Sequence, residues 1–176
     1  ISENKISKNK LTVFGNLPYN ISTEILSKWI VNLKKEFWFE SLVLMFQKEV
    51  ADRIIADHNT SNYGRLSILS NWKLKIKKII DIQPKSFSPR PKIDSSLLVF
   101  TPKKNFFELE DPKNLEILTR IFFSQRRKML KKPFNQVFKN AKEVSEKFSI
   151  DLNLRPQNLE PELYYKLTKE YENLGC

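Results

Sequence analysis

The sequence predicts an α/β sheet that closes with a pair of strands and is followed by a small all-helical domain. Three observations carry this. Short apolar runs alternate with helix-periodic segments up to about residue 100. One stretch, Lys73 to Lys77, alternates apolar and basic residues with period two. After Thr101-Pro102-Lys103-Lys104 the strand signals stop and only helical patterns follow. The boundary falls near 103–110, dividing the chain into residues 1–104 and 105–176.

Leu11 to Phe14 reads as a short buried strand. Ser22-Thr23-Glu24 then reads as the cap of a helix with apolar positions Ile25, Leu26, Trp29, Ile30 and Leu33. Ser41 to Phe46 is continuously apolar, as expected of a central strand covered on both faces. Residues 47–55 and 63–72 read as helices. The 73–77 strand carries lysine on its outer face, which fits a charge-protected edge better than direct ligand contact. Phe87 to Lys92 is a stiff proline loop, and Ser95 to Phe100 is the strand it leads into. Residues 111–130 form a long helical pattern with Leu115, Leu118, Ile121, Phe122 and Leu130 inside. Shorter helices follow near 133–139, 141–148 and 160–173, with Phe122, Phe123 and Phe134 as core.

Charge narrows the function. There are 31 lysines and arginines against 20 acidic residues, a net of +11. Residues 1–104 hold 18 basic and 9 acidic residues, and residues 105–176 hold 13 and 11. A polyanionic partner, by default nucleic acid, fits this field, with a general lysine-rich composition as the alternative. The single cysteine, Cys176, excludes a disulfide framework or cysteine-rich metal site within the chain and fits a reducing cytoplasm. No apolar run has transmembrane length, and neither a membrane nor a metal partner is expected. His58 lies in a polar loop and reads as solvated.

Three glycines cannot build a phosphate-cradling loop. What remains is Asn16-Leu17-Pro18-Tyr19, the loop from Phe87 to Ser95, and the basic run Gln125-Arg126-Arg127-Lys128. The first is either an ordinary strand-to-helix connection or a rigid polar clamp with an aromatic floor. A clamp would suit an exocyclic adenine amine, whose lone pair is delocalised into the ring. Acceptors on its hydrogens, the Asn16 side-chain oxygen and a backbone carbonyl of Leu17 or Pro18, would localise that lone pair. Tyr19 and Phe87 would hold the base flat. A base in structured nucleic acid must first be unstacked to reach such a pocket.

Four stretches, in order, resemble a known family. VFGNLPYNIST is similar to the catalytic motif of adenine N6-methyltransferases in the ribosomal RNA dimethylase branch. FSPRPKIDSSLLVF resembles that family's later aromatic and Pro-x-Pro motif, with FQKEVADRI and YGRLSIL between the two. FFSQRRKML resembles the opening helix of its C-terminal domain. From residue 11 onward the chain is identified as a member of the KsgA-type small-subunit ribosomal RNA adenine dimethyltransferases. The resemblance implies the C-terminal part of a Rossmann-like class I methyltransferase sheet. It implies S-adenosylmethionine as cofactor and dimethylation of two adjacent adenines in the 3′-terminal hairpin of small-subunit rRNA. The assembling small ribosomal subunit becomes the expected partner.

Carried over by position, Asn16, Leu17, Pro18 and Tyr19 fall on the catalytic clamp, Phe87 on the second aromatic wall, and Asn16 also on the cofactor. Arg65, Arg90, Lys92, Arg126, Arg127 and Lys128 are the RNA-binding candidates, the last three in one helix turn. The family's glycine-rich cofactor loop and its ribose-binding carboxylate precede the clamp and have no counterpart before Leu11. The expectation is therefore a fragment that transfers no methyl group alone and exposes a sheet edge and apolar faces. Two other readings remain: an Erm-type large-subunit rRNA methylase, and a non-catalytic RNA-binding ribosome-assembly factor.

Overall fold

The computed structural model describes residues 11–33 and 37–175. Four strands, β1 (Leu11–Asn16), β2 (Phe39–Gln47), β3 (Leu74–Ile82) and β4 (Ser95–Pro102), form one sheet in the order β1-β2-β4-β3. β1 runs parallel to β2, and β4 is antiparallel to both of its neighbours. The last strand in sequence thus slots between the second and third, as expected of a closing antiparallel pair. β2 is interior and its apolar run is mostly buried. β3 is an edge of the described sheet, with Lys75 and Lys77 exposed, as its alternation predicts.

β1 pairs on one side only among the described residues, and its Phe14 is 77% exposed. The close spacing of β1 and β2 explains Gly15: an added Cβ would sit 2.8 Å from Leu44 Cδ2.

Helices α1 (Ser22–Asn32), α2 (Lys48–Ile54) and α3 (Arg65–Lys73) accompany the sheet. α1 buries Leu26 and Ile30. Its start differs from the sequence expectation. Ile21 occupies the cap position with no side-chain bond, while Ser22 is buried in the first turn and donates to the Tyr19 carbonyl at 3.2 Å. The hydroxyl looks back into the turn that precedes the helix, so it is not available to cap.

Beyond β4 come α4 (Pro112–Ser124), α5 (Lys131–Val137), α6 (Ala141–Lys147) and α7 (Pro161–Asn173). Asp111 caps α4 by accepting from the Lys113 backbone N–H at 2.9 Å. α4 ends at Ser124, six residues before the expected end. Gln125 leaves helical geometry, and the Leu130 and Lys131 N–H groups donate to the Leu154 and Leu152 carbonyls. Leu130 is fully buried, which is why the apolar period seemed to continue, but it introduces α5. Arg126, Arg127 and Lys128 consequently lie in a turn, not in a helix.

α3 is the hub, touching α1, α2, α4 and α7. One apolar cluster runs from Leu42 and Phe46 of the sheet through Ile68 and Trp72 to Phe122, Phe134 and Tyr164. Buried polar tips find partners along it: Tyr63 Oη donates to the Leu159 carbonyl, Tyr165 Oη to that of Ile68, and Trp72 Nε1 to that of Phe107. Phe123 packs edge-on against Tyr63. Lys73, only 3% exposed, sends its ammonium to the Leu33 carbonyl at 2.6 Å and the Ile30 carbonyl at 3.4 Å, at the C-terminal end of α1. It lies 4.1 Å from the Trp72 ring centroid. Burial pulls its pKa down to about 8.

Candidate active site

β1 ends at Asn16, opposite Met45 of β2. The chain then turns sharply. The Ile21 N–H donates to the Pro18 carbonyl at 3.1 Å, and α1 begins one residue later. Proline stiffens this turn and costs no ladder bond, because the strand is already over. Asn16 is exposed, and its carboxamide makes no hydrogen bond within the described residues.

The second wall arrives from the connection between β3 and β4. Its ends are neighbours in the sheet, Ile82 facing Ser95. Pro84–Ser86 makes one tight turn, closed by the Phe87 N–H donating to the Pro84 carbonyl at 3.2 Å. The loop brings Phe87, Pro89 and Pro91 to face Asn16, Leu17, Pro18, Tyr19 and Met45. Together these eight residues line a pocket of about 310 Å³, open to solvent. All five candidate residues from the sequence thus meet in one place. Met45 was not legible as a member, because it enters only through the β1–β2 register.

Behind the pocket, Tyr19 Oη lies 2.6 Å from Ser95 Oγ, and Ser95 is fully buried. The next residue on β4, Ser96, donates to Asp81 Oδ1 at 2.6 Å. Asp81 also holds Lys48 at 2.6 Å and Lys78 at 2.7 Å, and Lys78 reaches Asp52 at 3.2 Å. The Lys48 ammonium foremost, then Lys78 and Ser96, holds the Asp81 carboxyl well below the usual carboxylate range. Asp81 in turn raises the Lys78 ammonium. This lattice ties α2 to β3 and β4 beside Ser95. FQKEVADRI and KIDSS contain Lys48, Asp52, Ser95 and Ser96 but gave them no roles, and nothing in the sequence singled out Lys78 and Asp81.

The basic candidates separate. Arg90 and Lys92 are exposed on the loop, flanking the pocket residue Pro91. Arg127 and Lys128 are exposed in the turn after α4. Arg126 is held within the fold: it donates to the Thr60 and Ser61 carbonyls at 3.2 and 2.5 Å and to Gln157 Oε1 at 3.2 Å. Arg65 lines a different groove that shares no residue with the pocket. His58 Nε2 lies 3.8 Å from Glu160 Oε1. Among the described residues, no helix is long and apolar enough to cross a membrane, and no cluster of three or more His, Cys, Asp or Glu could hold a metal ion.

The pattern of the family described as ribosomal RNA adenine dimethylase matches residues 2–173. The chain belongs to this family. Ribosomal RNA small subunit methyltransferase A of Pelagibacter ubique (strain HTCC1062) is 79% identical over 174 residues, covering 99% of the chain and 66% of that protein. The protein of the same name from Wolbachia sp. subsp. Drosophila simulans (strain wRi) is 43% identical over 182 residues, covering 100% of the chain and 64% of that protein. The chain thus spans just under two thirds of the length of these curated relatives.

Among solved structures, a dimethyladenosine transferase from Plasmodium falciparum superposes with a TM-score of 0.76 at 26% identity, covering 100% of the chain and 73% of that structure. The 23S rRNA methyltransferase ErmE superposes with a TM-score of 0.62 at 16% identity, covering 94% and 67%, a likeness of fold alone. The Rossmann-like methyltransferase architecture of the dimethylase family is therefore the fold of this chain.

Proposed function

We propose that the chain supplies the target-base half of an S-adenosylmethionine-dependent enzyme that dimethylates the N6 amines of two adjacent adenines in the 3′-terminal hairpin of small-subunit rRNA. The observation that carries this reading is the convergence of Asn16 to Tyr19 with Phe87 around one pocket. Residues 1–104 act as the methyltransferase part and 105–176 as a helical domain that helps hold the ribosomal substrate. The cytoplasm, where small subunits assemble, is the compartment.

A flat adenine fits between Tyr19 and Phe87. The Asn16 side-chain oxygen accepts one N6 hydrogen. The Pro18 carbonyl already accepts the Ile21 N–H, so the Leu17 carbonyl is the better placed second acceptor. Two acceptors draw the nitrogen toward a tetrahedral shape and localise its lone pair for attack. The nitrogen becomes cationic as it gains the methyl carbon, then releases a proton to water, so no strong base is needed. A second round on the same nitrogen exchanges its other hydrogen.

S-adenosylmethionine, when bound, supplies an electrophilic methyl on a sulfonium. Asn16, at the carboxyl end of a parallel strand, stands where open α/β sheets receive ligands, and is the residue of this chain that would touch it. Arg90, Lys92, Arg127 and Lys128, all exposed, are the candidates for phosphate contacts.

The test is Asn16→Ala in a protein that also carries the family's cofactor segment, assayed for methyl transfer to small-subunit particles. Loss of transfer with particle binding retained is the expected result. Unchanged transfer would remove the clamp assignment. If the wild-type protein binds particles but transfers nothing, the assembly-factor reading replaces this one.

A further inference from the structure

α1, α3 and α4 enclose a second groove, of about 460 Å³, lined by Lys28, Arg65, Lys113, Glu116 and Arg120 among others. Four cations face one carboxylate. Three of them, Arg65, Lys113 and Arg120, form no side-chain ion pair or hydrogen bond with any described residue. Several helical lysines elsewhere are matched: Lys142 with Glu146, Lys147 with Glu170, Lys166 with Glu162, and Lys169 with Glu110. Unpaired cations also stand on open surface, as at Lys131 and Lys132 of α5, but here three line one concavity.

The arrangement also carries an electrostatic cost. Partial burial and the field of Arg120 lower the Arg65 pKa, and Glu116 opposes them only in part. Two guanidinium groups that feel one another, with one carboxylate in the same groove, suit an anion that can accept several N–H donors at once. A phosphodiester backbone has that chemistry.

The groove is connected to the pocket by α1. That helix starts just after Tyr19 and its far end, with Lys28, Val31 and Asn32, forms one wall of the groove. Ten residues of helical rise separate the two ends by about 15 Å. We propose that this groove is a second RNA-binding site, which grips the phosphate backbone of the substrate about one helix length from the flipped base. The inference rests on the RNA reading above and adds Lys28, Lys113 and Arg120 to it.

The test uses the chain itself and a fluorescein-labelled RNA hairpin, read by anisotropy from about 50 to 300 mM KCl. The groove variant is Lys113→Glu with Arg120→Glu. The control is Lys142→Glu with Lys166→Glu, which changes net charge equally. The groove variant is expected to lose at least about tenfold in affinity, and its log–log salt slope to fall by roughly 1.5, as for two lost phosphate contacts. The control is expected to lose less than about threefold.

Equal losses in both, or none in either, would overturn the proposal. Preferential binding of polyglutamate over RNA, abolished by the groove variant, would assign the groove to an acidic protein and overturn it too. Should the charge reversals unfold the chain by circular dichroism, Lys113→Gln with Arg120→Gln gives the same comparison. Methyl transfer in the Asn16→Ala test and RNA affinity in the groove variant are separate readouts, so failure of the clamp reading and failure of the groove are told apart.

Discussion

Tyr19 Oη and Ser95 Oγ lie 2.6 Å apart, although 76 positions separate them in the sequence. The bond fastens the aromatic wall of the pocket to the first residue of β4, whose other neighbours are fixed by pairing with β2 and β3. Ser95→Ala removes the partner of a half-buried phenol and is expected to destabilise the chain by about 1–2 kcal/mol. Tyr19→Phe should cost a similar amount. The double variant should cost little more than either, giving a coupling of about 1 kcal/mol in a denaturant-unfolding cycle. Strict additivity would mean that the two hydroxyls do not depend on each other.

The three cations after α4 divide by role. Arg126→Ala breaks the tie between residues 60–61 and Gln157, and should lower the unfolding free energy by about 1–3 kcal/mol. Arg127→Ala and Lys128→Ala should stay within about 0.5 kcal/mol of wild type while weakening RNA binding. Thermal melts alongside anisotropy would separate the two behaviours.

Lys73 gives the chain a pH dependence in the alkaline range. An unfolded lysine titrates near 10.4, whereas burial brings Lys73 to about 8. Between those values the unfolded chain holds more protons, so this residue's contribution to stability rises with pH from about 8 to about 10.4. The rise is at most about 3 kcal/mol. Burial shifts Tyr63, Tyr164 and Tyr165 upward, and these phenols remove stability as pH climbs past about 10. Subtracting the pH–stability curve of Lys73→Met from that of wild type isolates the lysine: the difference should grow in favour of wild type above pH 8. A flat difference would show that the ammonium is compensated by its carbonyls and ring.

Gly15→Ala should fail for steric reasons. The new methyl meets Leu44 Cδ2 at 2.8 Å on a well-packed strand, and the expected cost is about 1–3 kcal/mol. Leu44→Ala alone opens a cavity at a fully buried site. The pair Gly15→Ala with Leu44→Ala should therefore recover part of the combined loss, measured by urea unfolding.

Local patterning made much of this molecule legible. The interior strand at 41–46 and the lysine-faced edge at 74–82 follow from side-chain alternation and continuity, which the sheet simply uses. The five residues around the pocket were legible because two short motifs each carry distinctive chemistry. Legibility failed where distant segments decide a local outcome. Leu130 obeys the period of α4 but is drawn away by the 152–154 backbone. Ser22 looks like a cap, yet its hydroxyl turns to Tyr19. Met45 and Ser95 owe their places to register, which no single segment contains. Arg65 resembles its fellow basic residues in sequence, and only the packing of α1, α3 and α4 sends it to another groove.

The loop bearing Phe87 starts and ends at directly paired positions, Ile82 and Ser95. It is in effect a ring of chain closed by the sheet, and Pro84, Pro89 and Pro91 remove much of the backbone freedom that remains. The disorder lost in ordering this segment is therefore lost when the protein folds, not when a base arrives. Under the proposed function, an incoming adenine would meet an aromatic surface already in place, and the free energy of stacking would go to extracting the base from its stack instead of to freezing the protein.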